Sequence, residues 1–137
     1  MKKNKYKVFV LENSATQRNL IAQCIKQDDR EIIVAESITE AKDVYNKNIS
    51  GINLFILDLK LPDGDGIDFL KYVSKTSEFV PAIIVSASIS QKNKDIAEKL
   101  WVVSFFEKPI DFSKLNHIVK SILPEKKSIE QQFRSIY

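Results

Sequence analysis

Apolar residues gather in five short runs, and the stretches between them repeat apolar positions at helical spacing. The runs are Val8–Leu11, Ile32–Ala35, Leu54–Leu57, Ala82–Val85 and Val102–Phe106. Several are continuous rather than alternating, the pattern of strands buried on both faces. Caps and periodicity predict helices between them. Ser14 precedes a stripe of Leu20, Ile21, Cys24 and Ile25, and Ser37 followed by Glu40 reads as a capping box ahead of Ile38, Ala41, Val44 and Tyr45. Ile67, Leu70 and Val73 mark a third helix after the Pro62–Gly66 turn. Ile89, Ile96, Ala97 and Leu100 mark a fourth, and Asp111 or Ser113 caps a fifth that contains Leu115, Ile118, Val119 and Ile122.

Strict alternation of strands with helices predicts an α/β fold: a five-stranded parallel sheet with helices on both faces, doubly wound. Function in such sheets gathers at the carboxyl ends of the strands, near the topological switch point. Glu12 and Asn13 stand there after the first run, and Asp58 after the third. Ser86 ends the fourth, and the fifth runs through Phe105 to Lys108 and Pro109.

Composition narrows the class. A chain of 137 residues fits about one domain. Apolar residues at 44% and charged residues at 28% suit a globular protein rather than a disordered one. Lys plus Arg number 21 against 18 acids, a net charge of +3 too small and too dispersed to argue for nucleic acid or a membrane surface. The one cysteine, Cys24, excludes an internal disulfide, and no Cys/His cluster suits zinc. The apolar runs are too short to span a bilayer, and no signal core follows the charged N-terminus. These features predict a reduced, cytoplasmic protein.

A carboxylate at a central strand end, with a hydroxyl and an ammonium nearby, suits nucleophilic attack on phosphorus to give an aspartyl phosphate. The charge on the phosphoryl oxygens calls for a divalent cation, a fixed cation and a small donor. Glu12, Asn13 and Asp58 offer oxygen ligands to Mg²⁺, and Lys108 and Ser86 supply the other two needs. Taken singly, Asp58 reads as a solvated strand-end acid and Lys108 as a surface lysine. Their joint placement carries the reading.

The stretches Val8–Ser14 with Arg18, Leu57-Asp-Leu-Lys-Leu-Pro-Asp-Gly-Asp-Gly66, Ile84–Ala87 and Phe106-Glu-Lys-Pro109 resemble the receiver domain of two-component response regulators. The resemblance covers residues 5 to 123 or so, and its most specific parts are the turn after Asp58 and the Lys-Pro pair. It implies a receiver domain over residues 1–123. In that domain Asp58 accepts a phosphoryl group from a histidine kinase or phosphotransfer protein, with Mg²⁺ held by Glu12, Asn13, Asp58 and the Lys60 backbone carbonyl. It further implies that Ser86 moves toward the phosphoryl oxygens, that Lys108 pairs with them, that Phe105 is the switch aromatic, and that the Lys108–Pro109 bond is cis. Output would pass through the face of the fourth helix, fifth strand and fifth helix, to a partner or to an effector domain beyond this chain.

Two positions depart from the family pattern. Asn13 stands where an Asp normally touches the metal, so the pocket is one negative charge short. Trp101 stands where a small residue or Gly usually closes the fourth helix, so a different cap and cover for nearby apolar surface are expected. The alternative function is therefore a pseudo-receiver, an interaction module that works without phosphorylation. A phosphatase is disfavoured because Lys60 stands where such enzymes place a general acid. Residues 124–137 read as a tail, with Ile129, Phe133 and Ile136 on one helical face: a surface turn, or the start of a linker helix. DNA binding by this segment is not expected, and homodimerisation stays undecided.

Overall fold

The computed structural model describes residues 5–48, 51–76 and 79–126. The predicted tail helix falls outside them. Strands β1 (Tyr6–Leu11), β2 (Arg30–Ala35), β3 (Ile52–Leu57), β6 (Ala82–Ser86) and β7 (Val102–Glu107) form one parallel sheet in the order β2-β1-β3-β6-β7. Helices α1 (Ala15–Ile25), α2 (Ile38–Lys47), α3 (Gly66–Thr76), α4 (Gln91–Glu98) and α5 (Phe112–Ile122) alternate with them. Between β3 and α3 lies a small antiparallel ladder of β4 (Lys60–Leu61) and β5 (Gly64–Asp65), which the turn-like sequence did not predict as strand.

The pleat separates the continuous apolar runs into two faces. Phe9, Leu11, Phe55 and Leu57 pack on one side with Tyr45 of α2 and Phe69 of α3. Val8, Val10, Leu54 and Ile56 pack on the other with Ile21 and Ile25 of α1 and Leu115 and Val119 of α5. Full burial of such side chains is worth about 1.5–3 kcal/mol each, so this double layer is the main stabilising element. A third cluster of Leu59, Ile67, Ile84, Ile89 and Ala97 packs beneath α4 and takes in the partly buried Phe105.

Helix starts follow the expected chemistry. The Ser14, Ser37 and Asp111 side chains accept from the backbone N–H of Gln17, Glu40 and Lys114. Ser90 does the same for α4 through Asn93, so Ile89 precedes that helix and Leu100 follows it.

Three expectations are corrected. Leu20 is exposed and leaves the α1 stripe, because Ile21 and Ile25 already fill the contact with the sheet. The outer strands are not buried on both faces: Val34 of β2 and Val103 of β7 are exposed, as edge position allows. Trp101 does not force a different turn but itself takes the left-handed conformation usual for Gly, at φ 67°. Two contacts hold it there. Its ring meets Phe79 at a centroid distance of 5.3 Å, and its carbonyl accepts from Ala82 N–H at 3.1 Å, where the β6–β7 pairing begins.

Candidate functional site

Parallel strands bring β1, β3, β6 and β7 to a common carboxyl rim, and the residues that follow them meet there. Asp58 leaves the end of β3, and its backbone N–H donates to the Leu11 carbonyl at 2.8 Å. Glu12 leaves β1 and is buried. Lys108 follows β7, and its backbone N–H donates to the Ser86 carbonyl at 2.9 Å, tying it to the end of β6. The Lys108–Pro109 peptide is cis, as the resemblance implies.

The Lys108 ammonium bridges the two acids. Nζ donates to Asp58 Oδ2 at 2.8 Å and to Glu12 Oε2 and Oε1 at 2.9 and 3.2 Å. Lys60 N–H donates to Asp58 Oδ1 at 3.2 Å, so both carboxylate oxygens of Asp58 are held. Ser14 N–H donates to Glu12 Oε1 at 3.2 Å. Arg18 Nη1 donates to the Glu12 and Asn13 carbonyls at 2.8 and 3.1 Å and fixes the β1–α1 loop.

Burial and pairing act against each other on these groups. Burial raises the Glu12 carboxyl above its ordinary value, and the neighbouring Asp58 charge adds to that, against the Lys108 and Ser14 hydrogen bonds. Burial works to lower the Lys108 ammonium, but the hydrogen bonds and charges of Asp58 and Glu12 outweigh it and leave the group raised. Lys108 therefore stays charged between the two acids.

Ser86 is wholly buried at the rim, and its Oγ has no hydrogen-bond partner among the described residues. An unsatisfied buried hydroxyl costs stability, and its position on the rim calls for a functional explanation. Phe105 lies one strand away, paired in register with Ile84 and partly buried. Asn13 is exposed on the rim loop beside Glu12.

The ligands expected for Mg²⁺ are hard oxygen donors from Glu12, Asn13, Asp58 and the Lys60 carbonyl. They fit such a cation chemically, and the Glu12 and Asp58 carboxylates already converge on one positive charge. The set is thin in charge: among the described residues no group of three or more His, Cys, Asp or Glu gathers around a common point. No helix among them is long and apolar enough to cross a membrane.

Asp63 is a site-loop residue that sequence reasoning missed. Oδ1 accepts from Ile38 N–H at 2.8 Å, and Oδ2 accepts from Thr39 N–H at 2.9 Å and Thr39 Oγ at 2.8 Å. No short-range signal joins residues so far apart in the chain. The tandem Asp-Gly pairs showed a turn, not its anchor.

The model of the response regulator receiver domain matches residues 8–120. The chain belongs to that family. It is the receiver domain of two-component response regulators, and receivers interact with histidine kinases or phosphotransfer proteins and with output domains. It is 26% identical over 120 residues to the sporulation initiation phosphotransferase F of Bacillus subtilis, spanning 88% of this chain and 95% of that protein. It is 32% identical over 126 residues to a protein-glutamate methylesterase/protein-glutamine glutaminase of Clostridium acetobutylicum, spanning 86% of this chain but 36% of that protein. The chain thus spans about a third of the length of the methylesterase relatives it matches.

Solved structures share the receiver fold. The non-phosphorylated HemR receiver domain of Leptospira biflexa superposes with a TM-score of 0.78 at 22% identity, covering 90% of this chain and 98% of that one. A chain of the CheX-CheY-BeF3-Mg complex of Borrelia burgdorferi gives 0.78 at 22% identity, covering 88% and 90%.

Proposed function

We propose that this receiver domain takes a phosphoryl group on Asp58 from a histidine kinase or phosphotransfer protein and relays its state through the surface around Phe105. The observation that carries the reading is the Asp58 carboxylate at the central strand end, held by Lys60 N–H on one oxygen and by the Lys108 ammonium on the other.

In the transfer, an Asp58 oxygen forms a bond to phosphorus as the bond from phosphorus to the donor breaks. The electron pair stays on the donor atom, an imidazole nitrogen when the donor is a phosphohistidine. Lys108 already lies within hydrogen-bond distance of Asp58 and is placed to meet a phosphoryl oxygen as the charge moves outward. The unpartnered Ser86 Oγ gains an acceptor when phosphoryl oxygens arrive, and its movement frees space toward Phe105. Lacking a hydroxyl, Phe105 responds through packing alone. Glu12, Asn13, Asp58 and the Lys60 carbonyl would hold Mg²⁺, which when bound offsets charge on the phosphoryl oxygens. Partners would read the change on the face of α4, β7 and α5. A cytoplasmic location, where phosphodonors are made, fits this role.

The phosphorylation-independent module is favoured by one observation, the absence of a third acid from the described pocket. Incubation with Mg²⁺ and acetyl phosphate, followed by mass spectrometry, separates the two readings. One phosphoryl group per chain, lost in Asp58→Asn, is expected; an unmodified protein at high Mg²⁺ would establish the module instead.

A further inference from the structure

We propose that Asp63 is a positioning residue for phosphoryl transfer, tying the loop that carries Asp58 and Lys60 to the N-terminus of α2. The inference rests on Asp58 being the phosphoacceptor and deepens that reading.

The loop from Asp58 to Gly66 has little to hold its shape by itself. Its ladder pairs two residues with two, Lys60 with Asp65 and Leu61 with Gly64, and an isolated two-stranded hairpin is marginal even when longer. Its base is closed by Gly66 N–H donating to the Leu59 carbonyl at 2.8 Å. Its tip is held from outside. The Asp63 carboxylate takes the Ile38 and Thr39 backbone N–H groups and the Thr39 hydroxyl. The Gly64 α-carbon lies close enough that a Cβ there would meet Ile38 Cγ1 at 3.4 Å.

α2 is a firm anchor. Ile38, Ala41 and Tyr45 are buried against the sheet, and Ser37 already caps the helix through Glu40 N–H. Helix N-termini leave several N–H groups without intrahelical partners and favour a negative charge. Asp63 fills that role from across the fold, and its carboxyl is held down at about 2 by the Thr39 and Ile38 backbone N–H groups and the Thr39 hydroxyl. The helix has its own cap; the loop is held elsewhere by Leu61 packed on the core and by Asp65 Oδ1 accepting from Ile67 N–H at 2.8 Å, and the Asp63 contacts are what tie its tip. The tie therefore matters most to the loop, whose Lys60 N–H orients Asp58 Oδ1. Release of the tip lets Lys60 swing away and frees one oxygen of the phosphoacceptor.

The control that separates positioning from plain helix capping is Ser37→Ala, which weakens α2 without untying the loop. Amide hydrogen exchange is read at Lys60, and the initial rate of phosphorylation by acetyl phosphate with Mg²⁺ is read on the same proteins. In Asp63→Ala the Lys60 amide is expected to exchange about tenfold faster, the factor equivalent to 1.4 kcal/mol, with a matching loss of phosphorylation rate. Asp63→Asn, which keeps one acceptor, falls between, and Ser37→Ala leaves both readouts at wild-type values. Equal effects of Ser37→Ala and Asp63→Ala, or an unchanged Lys60 amide in Asp63→Ala, would overturn the inference alone. A wild-type protein that takes up no phosphoryl group would overturn the phosphoacceptor reading and, with it, the purpose assigned to the tie.

Discussion

The Lys108 ammonium lies 2.8 Å from the Asp58 carboxylate and is the one basic side chain bonded to it among the described residues. Because the same ammonium also holds buried Glu12, it offsets two acids at once. Removing it leaves two carboxylates facing each other with little water. Breaking such a pair typically costs about 3–5 kcal/mol, and the partial exposure of Lys108 argues for the lower end.

Lys108→Met is therefore expected to destabilise the domain by about 3 kcal/mol at pH 7. The deficit should shrink toward pH 5. Burial already raises the Glu12 carboxyl, so the folded state binds that proton more readily than the unfolded chain. A group raised in this way favours folding at low pH and ceases to do so as pH rises through its folded value. Losing Lys108 raises it further and moves the window toward neutrality. Urea unfolding at both pH values reads the difference, and an equal deficit at both would rule out the two-carboxylate account.

Asn13 sets the charge of the same pocket. Glu12, Asp58 and Lys108 together carry one net negative charge, so a further carboxylate on the rim should strengthen cation binding. Asn13→Asp is expected to tighten Mg²⁺ binding by about tenfold, or 1.4 kcal/mol, measured by calorimetry with the metal alone. Equal affinities would show that the missing charge at Asn13 does not limit the site.

Acid should loosen the loop before it unfolds the core. The Asp63 carboxyl is lowered from 3.8 to about 2 by the Thr39 and Ile38 hydrogen bonds. A lowered carboxyl contributes stability that is present above its unfolded value and lost as pH falls through the folded one. The Ile38 and Thr39 amides should lose protection between about pH 4 and pH 2. Asp63→Asn should abolish that pH dependence, as followed by hydrogen exchange.

The five-stranded parallel sheet and the convergence of Glu12, Asp58, Ser86 and Lys108 could be read from the chain because both follow from local signals. Apolar runs mark strands, parallel winding sends their ends to one rim, and the residue after each run is then fixed in place. The caps Ser14, Ser37 and Asp111 could be read for the same reason. What escaped depends on contacts between segments distant in sequence. Asp63 holds the start of α2, 24 and 25 residues back along the chain. Leu20 is exposed because Ile21 and Ile25 already fill the sheet contact. Trp101 carries a backbone conformation its residue type disfavours, supported by Phe79.

Gly66 is a point where the site and the fold share one constraint. A Cβ there would overlap the Asp58 carbonyl oxygen and stand 3.1 Å from Leu59 Cα. These are backbone atoms, so the neighbour cannot yield by changing a rotamer. Gly66→Ala is expected to cost about 1–3 kcal/mol, the range for overpacking. It should also slow phosphorylation of Asp58 more than a destabilisation of that size elsewhere in α3 would. Comparing the variant with Ser74→Gly, on the same helix and away from the loop, tests this.

Trp101 offers a way to weigh backbone strain against side-chain contact. A non-glycine residue in the left-handed region costs about 1–2 kcal/mol, and Trp101 offsets that cost by packing on Phe79. Trp101→Ala removes the indole and keeps a Cβ in the disfavoured conformation, whereas Trp101→Gly removes both the indole and the strain. The glycine variant also gains freedom when unfolded, which subtracts part of the advantage. The expected order of stability is Gly above Ala by about 1 kcal/mol, read from the difference in urea midpoints. A glycine variant no more stable than the alanine one would mean that the positive φ carries no strain. Because the chain has a single tryptophan, Phe79→Ala supplies a parallel readout: Trp101 fluorescence should shift to longer wavelength as its edge-on ring partner is lost. An unshifted spectrum would mean that Phe79 does not shield the indole, and the support for the left-handed turn would have to come from the Ala82 hydrogen bond alone.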